Sequence, residues 1–166
     1  MNGIRLFVLV GLVMLGSGSL WAQENNANFA TQQVDRKVES LLLMERLGDI
    51  AYVDVVRLAG PPPAYRKETG TAFKDSLLGN QLKFYSYVFI PKSTKQNKKY
   101  PLLVYPHGGV HSNFTTVSVH ILREMLSQGY IVIAPDYRGS TGYGRSFYEN
   151  IDYGGLENED VMAARD

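Results

Sequence analysis

Apolar and polar positions follow two different rhythms along this chain. Val34, Val38, Leu41, Leu42 and Met44 recur near the helical period, and Gly48 follows Leu47 as a stop. This spacing predicts an amphipathic helix over 32–47. Ile50–Leu58 is dense in Val, Ile and Tyr and predicts a strand. Gly60-Pro61-Pro62-Pro63 ends it, because proline brings no donor to a strand ladder. Ala72–Lys74 and Leu82–Ile90 are two further strand candidates, with a turn signal at Gly79-Asn80 between them. The polar, basic stretch Lys92–Lys99 reads as a solvated loop.

From Pro101 the rhythm changes. Pro101–Tyr105 is a continuous apolar run, the mark of a strand covered on both faces, and Tyr130–Ala134 is a second buried-strand run. Between them Val117, Ile121, Leu122, Met125 and Leu126 keep helical spacing, and Gly129 closes that helix. Asp136–Gly144 is a glycine-rich loop. Leu156–Asp166 begins another helix, with Glu157 and Glu159 in its first turn, where the helix dipole favours acid. Strand, helix, strand, helix predicts a right-handed parallel βαβ unit. The expected fold class is therefore α/β, a doubly wound sheet behind a short helical and antiparallel lead-in. The closing run VMAARD stops in mid-pattern, so the chain reads as the front part of a longer protein.

The first 22 residues stand apart. Arg5 precedes a ten-residue apolar run, Leu6–Leu15, then the small residues Gly16–Ser19 and a small Ala22 before Gln23. That order is the one of a secretory signal peptide; an uncleaved membrane anchor is the competing reading, against which the run falls short of the ~20 residues that span a bilayer. Export to the envelope or beyond is expected, with no stable membrane insertion after cleavage. Arg5 is the only charge before Gln23, so removing the leader leaves equal numbers of basic and acidic groups. Nucleic acid needs a basic surplus and is not an expected partner. Cysteine is absent, which excludes disulfides, thiolate metal sites and a cysteine nucleophile. No histidine–carboxylate cluster has metal spacing, and no nucleotide loop is present, so neither a metal nor a cofactor is expected.

Chemistry concentrates after Pro101. A strand that ends in His107-Gly108-Gly109 has a specific use, because glycine lets the backbone approach a ligand and aim its N–H groups. Such a turn forms half of the oxyanion hole in α/β-hydrolases. A plain strand-to-helix turn with a satisfied histidine is the competing reading. Three strings in order, PHGGVHSNF, DYRGSTGYG and DYGGLENED, decide between them. Together they resemble the catalytic domain of the prolyl oligopeptidase family of serine peptidases, over about Phe84 to Asp166.

The resemblance implies an α/β-hydrolase sheet, present here as its N-terminal part, and proteolysis through an acyl-enzyme. It places Gly109 as the first backbone donor to the oxyanion and Gly108 as the alternative. His107, His111, Arg138 and Tyr143 become candidates to line the site. His107 is expected as a structural donor at the loop, His111 at the site mouth and His120 on a helix face. Arg138 binds either a substrate carboxylate or an acid of the protein itself. Val110 stands where many members have proline, which leaves the backbone donor in place.

The family's nucleophile sits in a Gly-x-Ser-x-Gly elbow. Ser140 lacks the first glycine and Ser146 the second, so no triad serine is assigned in this chain, and none of its histidines is assigned as the base. By fold order the serine, acid and histidine come after Asp166, and the chain alone is expected to be inactive. Only about 80 residues separate Gln23 from the first buried strand, too few for the β-propeller of many members at ~40–45 residues per blade. Prolyl specificity is therefore not carried over, and peptides or esters are the expected substrates. The expected domains are a leader at 1–22, an N-terminal extension at 23–71 and a partial hydrolase domain at 72–166, cut before the elbow. The alternatives are an exported carboxylesterase and a non-catalytic binding module on the same fold.

Overall fold

The structure is a computed structural model that describes residues 28–61, 82–151 and 153–166. The leader at 1–22, the strand candidate Ala72–Lys74 and the turn at Gly79-Asn80 lie outside the described residues. A helix, α1, occupies 28–47. Among the described residues four strands follow in one sheet: β1 (Ala51–Ala59), β2 (Lys83–Pro91), β3 (Leu102–Val104) and β4 (Ile131–Asp136). A single 3-10 turn at Thr116–Ser118 leads into α2 (Val119–Ser127), which connects β3 to β4. Two short helices, α3 (Arg145–Tyr148) and α4 (Leu156–Ala163), come after β4.

The strand order is β1-β2-β4-β3. β1 and β2 pair antiparallel from Ala51↔Pro91 to Ala59↔Lys83. β2 then pairs antiparallel with β4, from Tyr85↔Asp136 to Phe89↔Val132. β3 and β4 are parallel, as a crossover through α2 requires. The antiparallel lead-in is thus continuous with the parallel pair, and the mixed sheet is α/β as the sequence predicts.

Alternation along the strands divides the core into two layers. Tyr87, Phe89, Val132 and Ala134 meet Leu43, Leu47, Phe114, Leu122 and Leu126 on the face that α1 and α2 cover. Phe84 and Ile133 meet Phe147 and Ala164 on the other face, under α3 and α4. Helices on both faces are what a doubly wound sheet needs.

Three local expectations are corrected. Val34, Val38, Leu41 and Met44 do not face the core: they lie exposed along α1, with Leu41 at 67%. Leu43 and Leu47 face the core instead, and hydrogen bonds brace that orientation. Ser40 Oγ pairs with Tyr87 Oη at 2.6 Å, Glu39 accepts from the Thr116 N–H, and Arg36 Nε donates to the Gly142 carbonyl. Val117 is not on the helix stripe either. It sits in the 3-10 turn and is 78% exposed. Finally, β3 is only partly covered: Leu103 and Val104 pack against opposite core layers, each half-buried, at the edge of the sheet. Among the described residues it pairs only with β4, and Leu102 at that edge is exposed.

Candidate functional site

β3 and β4 run parallel, so their carboxyl ends lie at the same edge of the sheet, and the loops that follow them meet there. The β3 loop carries His107, Gly108 and Gly109, and the β4 loop runs from Tyr137 to Gly144. Several hydrogen bonds lock the two together. Tyr137 Oη donates to the Gly109 carbonyl at 2.8 Å, and the Thr141 N–H donates to the Ser112 carbonyl at 2.8 Å. Thr141 Oγ1 also donates to Asn113 Oδ1 at 2.9 Å.

Gly109 takes a φ of +76°, a backbone conformation that side chains with a Cβ rarely adopt. Its carbonyl is held by Tyr137, which fixes the turn. Gly108 and Gly109 are both exposed, and among the described residues neither N–H has a hydrogen-bond acceptor. Two exposed amide donors on a braced turn can stabilise an anion that reaches them.

His107 stands beneath this turn with its side chain only 5% exposed. The ring stacks on Tyr137 with centroids 4.4 Å apart, and Nε2 lies 2.8 Å from Ser140 Oγ. Ser140 Oγ–H donates to the Tyr137 carbonyl at 2.6 Å, so Nε2–H is the donor to Ser140. Burial pushes the His107 imidazole below its ordinary value, which keeps the ring neutral. His107 therefore holds the two loops together.

His111 Nδ1 donates to the Gly139 carbonyl at 2.8 Å. Its ring stacks on Tyr148 at 3.6 Å, and Nε2 faces Tyr153 Oη at 3.4 Å. His120 is exposed on α2. Arg138 does not line the site. It is 2% exposed, and its Nε and Nη2 both donate to Asp160 at 2.7 Å. Of its two readings the internal ion pair is the one observed. Tyr143 is mostly buried, and its hydroxyl donates to Asp136 Oδ2.

Sequence reasoning passed over Asp136 and Asp160 and weighed Ser140 only as a nucleophile; all three are fully buried beneath these loops. The signal available for Asp160 was its place in DYGGLENED, one of the three family strings. Asp136 accepts from the Phe114 N–H at 2.7 Å and lies 3.8 Å from His107 Nε2. Burial pushes its carboxyl up to about 7, against the lowering effect of the bonds from Tyr143 and Phe114. A carboxyl raised on folding binds more protons in the folded state between about pH 4 and 7, so it makes stability fall as pH rises through that window. His107, lowered on folding, acts the other way, and the stability of its neutral form is lost as pH drops below ~6.5. Asp136→Asn removes the first effect and keeps the shape. Relative to the unsubstituted chain it is expected to gain stability steadily from about pH 4 to 7, read as urea midpoints. A difference that does not vary with pH contradicts this.

Comparison with known proteins points to one family. The sequence profile of the prolyl oligopeptidase family matches residues 115–166. Dipeptidyl-peptidase 5 of Porphyromonas gingivalis is 41% identical over 93 residues, which is 53% of this chain and 13% of that protein. A puromycin-hydrolysing peptidase of Mycobacterium tuberculosis superposes with a TM-score of 0.51 at 28% identity, over 69% of this chain and 16% of its own. An acylaminoacyl peptidase of Pyrococcus horikoshii shares the fold with a TM-score of 0.51 at 19% identity, over 75% of this chain and 17% of its own. The chain thus spans about an eighth of the length of the curated relatives it matches.

Proposed function

We propose that this chain is a member of the prolyl oligopeptidase family, whose profile matches residues 115–166, and that it supplies the oxyanion turn of a serine peptidase. The observation that carries this is the turn itself: Gly109 at positive φ, its carbonyl tied to Tyr137, its N–H and that of Gly108 exposed and without an acceptor among the described residues. In the whole protein a serine C-terminal to Asp166 attacks the acyl carbon. The carbonyl oxygen gains charge and takes a hydrogen bond from Gly109 N–H. A histidine from the same later segment receives the serine proton and passes it to the leaving group. Peptides are the favoured substrates, on the names of the relatives. The leader at 1–22 directs export, so the mature protein begins at Gln23.

The test uses the whole gene product on matched aminoacyl-anilides and p-nitrophenyl esters. Turnover of the anilides is expected, with a fluorophosphonate probe attached to a serine in Gly-x-Ser-x-Gly. Turnover of esters alone would instead make it a carboxylesterase. No turnover and no labelled serine overturns the reading.

A further inference from the structure

On the α1 face of the sheet lies a cavity of about 350 Å³ whose walls include Arg36, Lys37, Arg57, Lys83, Tyr85 and Tyr143. Among the described residues no Asp or Glu lines it. The sequence brings these cations together through strand pairing. Arg57 and Tyr85 are register partners on β1 and β2, and Lys83 precedes Tyr85 by two residues, so the three share a face. Arg36 and Lys37 come from α1 above them.

Aromatic faces hold two of the cations in place. Tyr85 and Tyr143 stack at 5.2 Å with planes 11° apart. The Arg36 guanidinium sits 4.6 Å from the Tyr143 centroid, and that of Arg57 lies 5.7 Å from Tyr85. Among the described residues none of the four cations is in an ion pair. Asp136, whose carboxyl feels the Arg36 charge, is buried and bonded to the Tyr143 hydroxyl. Cation–π attraction offsets part of the mutual repulsion, and an anion in the cavity would relieve the rest.

Position suggests which anion. The end of β1, the start of β2 and the end of β4 lie at one edge of the sheet, the edge from which the Gly108-Gly109 turn also projects. β2 and β1 are two and three strands away from β3. At ~4.8 Å per strand that is about 10–14 Å, which an extended peptide covers in about three to four residues. We propose that this cavity is a subsite for a carboxylate of a peptide substrate, about three to four residues from the bond held at the oxyanion turn. Seating a peptide there rests on the peptidase reading above.

The test is binding without turnover, measured by calorimetry on the full chain. A peptide with two glutamates, in side chains only and with a blocked C-terminus, is compared with its diglutamine twin and with a twin bearing a free C-terminal carboxylate. Inorganic phosphate is titrated alongside. One of the two acidic peptides is expected to bind about tenfold more tightly than the neutral one, as two or three half-exposed ion pairs would give, and less so at high salt. Which of the two binds distinguishes side-chain from terminal carboxylate. Arg57 and Lys83 are exposed, so Arg57→Gln with Lys83→Gln leaves the fold intact and should erase the difference. Equal binding of acidic and neutral peptides, or a difference that survives the double substitution, overturns the proposal. Phosphate binding without peptide binding overturns it too and leaves a site for a small inorganic anion. Because no hydrolysis is read, failure of the oxyanion reading leaves this result standing, and the reverse also holds.

Discussion

Replacing Asp160 with alanine is expected to destabilise the chain by about 3–5 kcal/mol, the usual consequence of stranding one member of a buried ion pair. Asp160 is fully buried and its partner Arg138 is 2% exposed. The carboxylate accepts the Nε and Nη2 hydrogens of Arg138 and also the Arg138 backbone N–H at 3.0 Å. The pair ties α4 to the loop after β4, and it packs against the end of β1, where a Cβ on Gly60 would collide with Asp160 Oδ1. Removing the acid leaves a buried guanidinium with no carboxylate beside it. A loss of this size is a large fraction of the 5–15 kcal/mol that ordinary domains possess, so the variant is expected to be largely unfolded near 37 °C. The check is urea denaturation of Asp160→Ala beside the double variant Asp160→Leu with Arg138→Met. The double variant should be the more stable of the two, because it buries no unpaired charge. If Asp160→Ala costs under about 1 kcal/mol, the pair is not the brace described here.

The second large effect concerns rate. In the whole protein, Gly109→Pro deletes the amide hydrogen, and kcat is expected to fall by about 10²–10³ with KM little changed. Proline also fixes φ near −65°, against the +76° of Gly109, so the turn itself is disturbed. Gly109→Ala separates the two causes. Alanine keeps the N–H and finds only Ser112 Cβ at 3.7 Å, so it bears the conformational strain alone. Alanine should lose far less rate than proline. Equal losses in kcat would assign the effect to the turn's shape, and the full loss appearing in Gly108→Pro alone would move the donor to Gly108.

Much of this architecture can be read from residue types. β1 and β2 declare themselves through dense β-branched and aromatic residues between proline, glycine and polar breaks. The βαβ unit follows from two apolar runs that flank a helical period. The proposed oxyanion turn is legible only through the three strings taken together, because two glycines after a strand serve a plain strand-to-helix turn equally well. What could not be read depends on distant partners. The apolar stripe of α1 predicts one orientation, yet Arg36, Glu39 and Ser40 bond to Gly142, Thr116 and Tyr87, far along the chain, and turn the opposite side inward. Periodicity contains no record of those bonds. Arg138 was ambiguous for a similar reason: the acid that claims it is 22 residues away, on a helix of its own. An apolar run such as Pro101–Tyr105 looks the same at the middle of a sheet and at its edge, so the exposure of Leu102 could not be foreseen.

The oxyanion role of Gly109 is tested most directly by a crystal structure of the whole protein after reaction with a phosphonate that mimics the tetrahedral intermediate. A phosphonyl oxygen is expected about 2.7–3.1 Å from the Gly109 nitrogen, with the phosphorus bonded to a serine beyond Asp166. A phosphonyl oxygen held elsewhere, with the Gly108 and Gly109 amides facing only solvent, would contradict it.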